Sequence, residues 1–213
     1  VSFIFIFYPI FFLGFYNYEF FLIISSFISF LGIINILLNF NTLLNFLKRN
    51  LIELKKDNKL IYIVYILIIL FFLLSISPIT SGDSISYHMG FAKHILNNGG
   101  FSKDLFMPEA PLVGAGEFLN AFALSIKAYQ FTSLINFVAI ISIIGILKKF
   151  SNLQKLSTDN QIFLYLCIIS CPILVFFVSS SKSQLFSISL ILFCYALLLF
   201  CLKNNQNKKF LKK

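Results

Sequence analysis

Six stretches of this chain run without a single charged residue: about Phe3 to Phe15, Phe20 to Leu38, Leu60 to Ser77, Ala128 to Leu147, Ile162 to Val178 and Leu185 to Leu202. Crossing a hydrocarbon core of roughly 30 Å takes about 20 helical residues, and five of the six approach or reach that length. No soluble domain fits between them. Soluble domains are roughly half apolar and roughly a quarter charged, whereas this chain is 59% hydrophobic and 12% charged, with a mean hydropathy of +0.91. The expected fold is all-α: one polytopic membrane domain over residues 1–213, with about six spans and a long outer loop, 78–127, containing amphipathic helices.

Charge placement gives that bundle an expected orientation. Of the 17 Lys and Arg residues, thirteen fall in three segments on one side: Lys48, Arg49, Lys55, Lys56 and Lys59; Lys148, Lys149 and Lys155; and Lys203, Lys208, Lys209, Lys212 and Lys213. Lys93, Lys103, Lys127 and Lys182 lie on the other side. Short cytoplasmic loops carry the excess of cations, so the C-terminal tail is expected in the cytoplasm and the long loop outside the cytoplasmic membrane. The same placement accounts for the net charge of +9 without nucleic acid as a partner. Cys167, Cys171, Cys194 and Cys201 lie inside apolar runs with no CxxC pair and no histidine near them, which argues against a disulfide framework and for no metal site. The first apolar run has no basic residues ahead of it and no small-residue cleavage site behind it, unlike a signal peptide.

The 78–127 segment differs from everything around it. It holds both histidines, four of the eight acidic residues, three of the five prolines and six of the nine glycines. A segment of this length between spans is functional or disordered, and its pattern favours order. Ile85, Met89, Ala92 and Leu96 recur at helical spacing, so Ser84 to Asn97 reads as an amphipathic helix on the membrane surface, ended by Asn98-Gly99-Gly100. A second helix is expected after Pro111, through Gly116 to Asn120. Asp83 sits a few residues past a span, where a carboxylate can act as a base or cap the helix that follows. Tyr87 and His88 come within roughly a turn and a half of it and could face the same pocket, whereas His94 lies farther round, toward solvent.

These residues resemble the GT-C glycosyltransferases, which include protein O-mannosyltransferases and lipid A aminoarabinose transferases. The matching features are Asp83 after a span, the Tyr87-His88-Met89-Gly90-Phe91-Ala92 helix, the Pro108-Glu109-Ala110-Pro111-Leu112 entry to a second helix, and the short turn Ser179 to Gln184. The family's Pro-Pro-Leu is interrupted here by Glu109-Ala110. Its members are also longer, so the resemblance, which covers about Leu60 to Leu202, implies an N-terminal portion of such an enzyme. It further implies a polyprenyl-phosphate sugar as donor and a glycan, lipid or protein of the cell envelope as acceptor, with inversion at the transferred sugar. Asp83 would be the general base and Lys182 the cation facing the leaving phosphate; Tyr87, His88, Glu109 and Glu117 would bind substrate. The resemblance leaves any cofactor unassigned. The competing expectation is a non-catalytic transporter or flippase of lipid-linked glycans. It is disfavoured by spans that lack the internal charges ion-coupled transporters use. An envelope-glycan ligase or polymerase would use more outer cations than the four found.

Overall fold

The computed structural model describes residues 18–42, 44–45, 59–98 and 115–210, with side chains described as far as residue 201. Among these residues all regular structure is helical. The elements are α1 (Tyr18–Leu38), α2 (Leu60–Ile76), a π turn (Ser84–Met89) continuing into α3 (Gly90–Asn98), α4 (Ala115–Ser125), α5 (Phe131–Leu153), α6 (Thr158–Ile169), α7 (Pro172–Val178) and α8 (Gln184–Phe210).

Three of these helices are long and apolar enough to cross a membrane: α1, α5 and the Gln184–Cys201 part of α8. α2 is as apolar but has 17 residues. The crossing expected from Ile162 to Val178 is broken into α6 and α7, which meet at a 60° bend. The physical reason is Pro172 at the first turn of α7, since a proline has no N–H to continue the ladder of a preceding helix. The expected first span, Phe3 to Phe15, lies outside the described residues. Only 11% of the apolar window of α1, and as little of α8, is buried against the rest of the protein. Helices that present Leu and Ile outward along most of their length indicate association with a membrane.

Packing divides into two cores. In the larger, α5 contributes Ala139 and Ile140 to a cluster with Val64 and Phe71 of α2, Ile162, Tyr165 and Ile169 of α6, and Val178 of α7. The smaller joins Phe21 of α1 to Ala92, Ile95 and Leu96 of α3 and to Phe118, Ala121 and Phe122 of α4. Its centre is aromatic, with the Phe21 ring 5.6 Å from Phe118 and 4.9 Å from Phe122, and such pairs add about 0.5–1.5 kcal/mol each beyond their buried area. Ser25 ties α1 to α4 beside them, its hydroxyl 3.1 Å from the Phe122 carbonyl and 2.9 Å from Ser125 Oγ.

The expected helix from Ser84 to Asn97 is present, but with a different inner face and a different setting. Ser84, His88, Phe91, Ala92, Ile95 and Leu96 are buried, while Ile85 is exposed. Its apolar stripe packs on α4 and α1 instead of lying alone on a membrane surface. Because the stripe extends back to Ser84 and His88, two polar side chains enter the interior. α4 is followed by a turn at Lys127, which takes the left-handed conformation at φ 58°. The Ala128 N–H returns to the Ala123 carbonyl at 2.8 Å, closing the helix end in a Schellman-like turn. That reversal brings α5 back alongside α4.

Candidate functional site

The site is built around the 179–183 turn between α7 and α8, which buried side chains from three directions hold in place. From α5, Ser133 donates to the Ser180 carbonyl at 3.1 Å, and the Asn136 amide donates to the carbonyls of Phe177 at 2.9 Å and Lys182 at 2.5 Å. From α4, the Asn120 amide donates to the Ser181 carbonyl at 3.2 Å, while its own oxygen accepts from the Thr132 hydroxyl. From the π turn, Ser84 Oγ accepts the Ser181 N–H at 3.2 Å and the Ser84 carbonyl accepts the Ser181 hydroxyl at 3.1 Å. A Cβ at Gly116 would run into the Ser183 side chain, so glycine is what lets α4 approach this closely.

With Ser84 bonded to Ser181, their neighbours Asp83 and Lys182 are brought together, and the Lys182 ammonium pairs with Asp83 Oδ2. The same ammonium lies 5.1 Å from the centre of the Phe176 ring. Hydrogen bonding from Lys182 holds the Asp83 carboxyl below the usual carboxylate range. Partial burial works against this shift, and the charges of Lys182 and His88 add to it. Asp83 makes no capping bond to the helix that follows it, so the capping role open to it in the sequence is not the one its side chain takes.

On the inner side of the π turn, His88 Nδ1 lies 2.5 Å from Glu117 Oε1 of α4, and both residues are buried. A carboxylate only accepts, so Nδ1 carries the proton in this pair and Nε2 is the nitrogen left for other chemistry. The Tyr87 ring packs edge-on at 4.5 Å from His88 and 5.1 Å from Phe91. π-Helical turns concentrate at functional sites because the wider ladder re-aims side chains, and here Asp83 and His88 flank or occupy one.

Four of the sequence candidates, Asp83, His88, Glu117 and Lys182, are thus linked through one turn, with Tyr87 stacked beside them. Glu109 lies outside the described residues. His94 is partly exposed and bonded to the Asn98 amide at 2.9 Å, apart from the pairs. Among the described residues no three His, Cys, Asp or Glu side chains come together as metal ligands, and the four cysteines are free thiols. The residues missed in the sequence are the neutral ones: Ser84, Asn120, Ser133, Asn136 and Ser181. A signal for some of them existed, since Thr132, Ser133 and Asn136 recur at i, i+1 and i+4 on one face of an apolar run, where polar side chains are costly unless they have a partner.

The family described as DUF1420 N-terminal domain matches residues 37–212 of this chain. No curated protein and no solved structure matches it.

Proposed function

The chain belongs to the DUF1420 N-terminal domain family, and from that premise and the site's chemistry we propose that it transfers a sugar from a polyprenyl-phosphate donor to an acceptor hydroxyl at the outer face of the cytoplasmic membrane. One observation carries this reading: a carboxylate with an exposed face and a largely shielded ammonium sit side by side at the ends of apolar helices. Glycosyl transfer with inversion needs that combination. The acceptor oxygen bonds to the anomeric carbon as its proton passes to Asp83. The bond from that carbon to the phosphate oxygen breaks with its electron pair, and polyprenyl phosphate leaves under the charge of Lys182.

Three further features support it. An apolar groove of about 260 Å³, lined by Ile28, Leu119, Phe122, Phe131, Ile135 and Phe186, has its lining residue Phe186 four positions after Lys182 in sequence and suits a lipid tail. His88, held by Glu117, and Tyr87 offer an imidazole edge and an aromatic surface to a sugar. The thirteen cations on the opposite side favour an outer site. In this reading the membrane is crossed six times, α6 and α7 forming one bent crossing, and the residues named in the GT-C resemblance keep their roles except Glu117, which is buried and holds His88 in place of touching substrate.

The test is release of polyprenyl phosphate from a polyprenyl-phosphate sugar in membranes containing the full-length protein, with transfer of the labelled sugar to envelope material. Absence of both, with the protein inserted and folded, would sink the reading. Orientation is checked separately in a cysteine-free background: single cysteines at Asn97 and Gln184 should react with an impermeant thiol reagent in intact cells, and one at Gln154 should not.

A further inference from the structure

The Asp83–Lys182 pair presents a chemical problem to the reading above, on which this inference rests. A base must accept a proton, yet Asp83 is bound to an ammonium that lowers its affinity for one. The pair is also not what holds the two segments together, because the buried double contact between Ser84 and Ser181 does so one residue away. The Lys182 backbone is fixed further by Asn136. What remains movable is the end of the lysine side chain, which lies between a carboxylate and the Phe176 ring.

We propose that Lys182 is a donor-operated latch on Asp83: without donor its ammonium occupies the carboxylate, and the donor phosphate draws it away and frees the carboxylate to take the acceptor's proton. Charge bookkeeping over the reaction supports the exchange. The donor is a phosphodiester with one negative charge. During transfer Asp83 gains a proton and loses its charge, while the phosphate, keeping the electrons of the broken bond, becomes a monoester with up to two. Negative charge therefore moves from Asp83 to the phosphate, and one ammonium within reach of both follows it. The lysine's hold on the phosphate strengthens as the bond breaks, which is stabilisation reserved for the transition state. The other titratable group acting on Asp83 stays in place, His88 being held at 2.5 Å by Glu117 inside the packing. With its carboxylate half exposed, the pair is open to solvent on the Asp83 side, and an ion pair open to solvent is weak enough to be exchanged.

The experiment is binding of a short-chain polyprenyl phosphate to the purified full-length protein in detergent, across a double-mutant cycle. Asp83→Asn should tighten binding about threefold to fivefold, the value of an exposed ion pair released. Lys182→Ala should weaken it at least about tenfold, as expected for a lost charge-assisted contact to phosphate. In the Lys182→Ala background Asp83→Asn should have no further effect. Asp83→Ser, which keeps the Ser84–Ser181 contact beside it, repeats the first arm should the Asn variant fold poorly. Unchanged or weaker binding in both Asp83 variants overturns the latch, as does an equal gain without Lys182, which would mean simple repulsion between carboxylate and phosphate. In those outcomes the wild-type protein still binds and the proposed function stands. A folded wild-type protein that does not bind polyprenyl phosphate overturns both.

Discussion

The two faces of the π turn carry one side-chain pair each, in opposite surroundings: an imidazole–carboxylate hydrogen bond on one side and an ion pair on the other. His88 and Glu117 meet within the packing of α3 and α4, their side chains 10% and 7% exposed, whereas Asp83 and Lys182 meet with 52% and 18% exposed. The difference decides what each pair can do. Breaking a bonded pair inside a packed interface leaves a polar group unsatisfied away from water and costs about 1–3 kcal/mol, while an ion pair that solvent reaches on its carboxylate side contributes about 0–1 kcal/mol. The inner pair is suited to fixing the orientation of an imidazole. The outer pair is suited to changing partners. Folding and chemistry are thereby assigned to different carboxylates on either side of one turn.

The sharpest way to test this contrast is Asp83→Asn, which removes the proposed base while keeping its size. Transfer should fall roughly a hundredfold to ten-thousandfold, the usual range for a lost general base, with insertion and thermal midpoint close to wild type. Near-normal transfer would remove Asp83 from the chemistry. Glu117→Ala should do the reverse and lower folding stability by about 1–3 kcal/mol, the cost of leaving the buried Nδ1–H of His88 without an acceptor, read as a shift in unfolding in detergent. Glu117→Gln, which still accepts from Nδ1–H, should lose less. A stable Glu117→Ala protein would mean that the inner pair is no more structural than the outer one.

Lys182→Ala should reduce transfer efficiency about tenfold to a hundredfold, since a charge-assisted contact to phosphate is worth about 1.5–3 kcal/mol, and Lys182→Arg should retain much of the activity. Curves of rate against donor concentration that coincide with wild type would leave Lys182 as an interfacial anchor. The smallest effect expected is on stability against pH. The folded-state affinity of Asp83 for a proton is lowered, so its contribution is fully present above its ordinary value of 3.8 and is lost as pH falls through the lower folded value. Wild type and Asp83→Asn should therefore differ by no more than about 1 kcal/mol near neutrality and converge in acid. A gap that widens on acidification would reverse the assigned direction.

Much of the site was visible before any fold was known. Asp83, Tyr87 and His88 fall in one short segment, and their closeness needs only the rise of a helix. Glu117 could be named as a site residue but not as the partner of His88, because that contact joins positions 29 apart across two helices whose facing sides are set by packing. The inner face of the first loop helix differs from the expected one for a related reason: Ile85 and Met89 match the apolar period as well as Ser84 and His88 match a polar one. The choice between them was made by what lay opposite. Glu117 and the 179–183 turn supply hydrogen-bond partners, and a buried polar group with a partner costs far less than one without.

What the sequence alone determined is therefore the material and the local geometry: charge-free runs that form apolar helices, and an acidic, histidine-bearing segment between them. Only the tertiary structure decided which charges meet. The ion pair of Asp83 with Lys182 depends on Ser84 reaching Ser181, 97 residues away, and on Asn120, Ser133 and Asn136 holding that turn. Such contacts leave no period in the sequence, because they connect points on different helices through a polar network whose members are spaced by the fold and not by the chain.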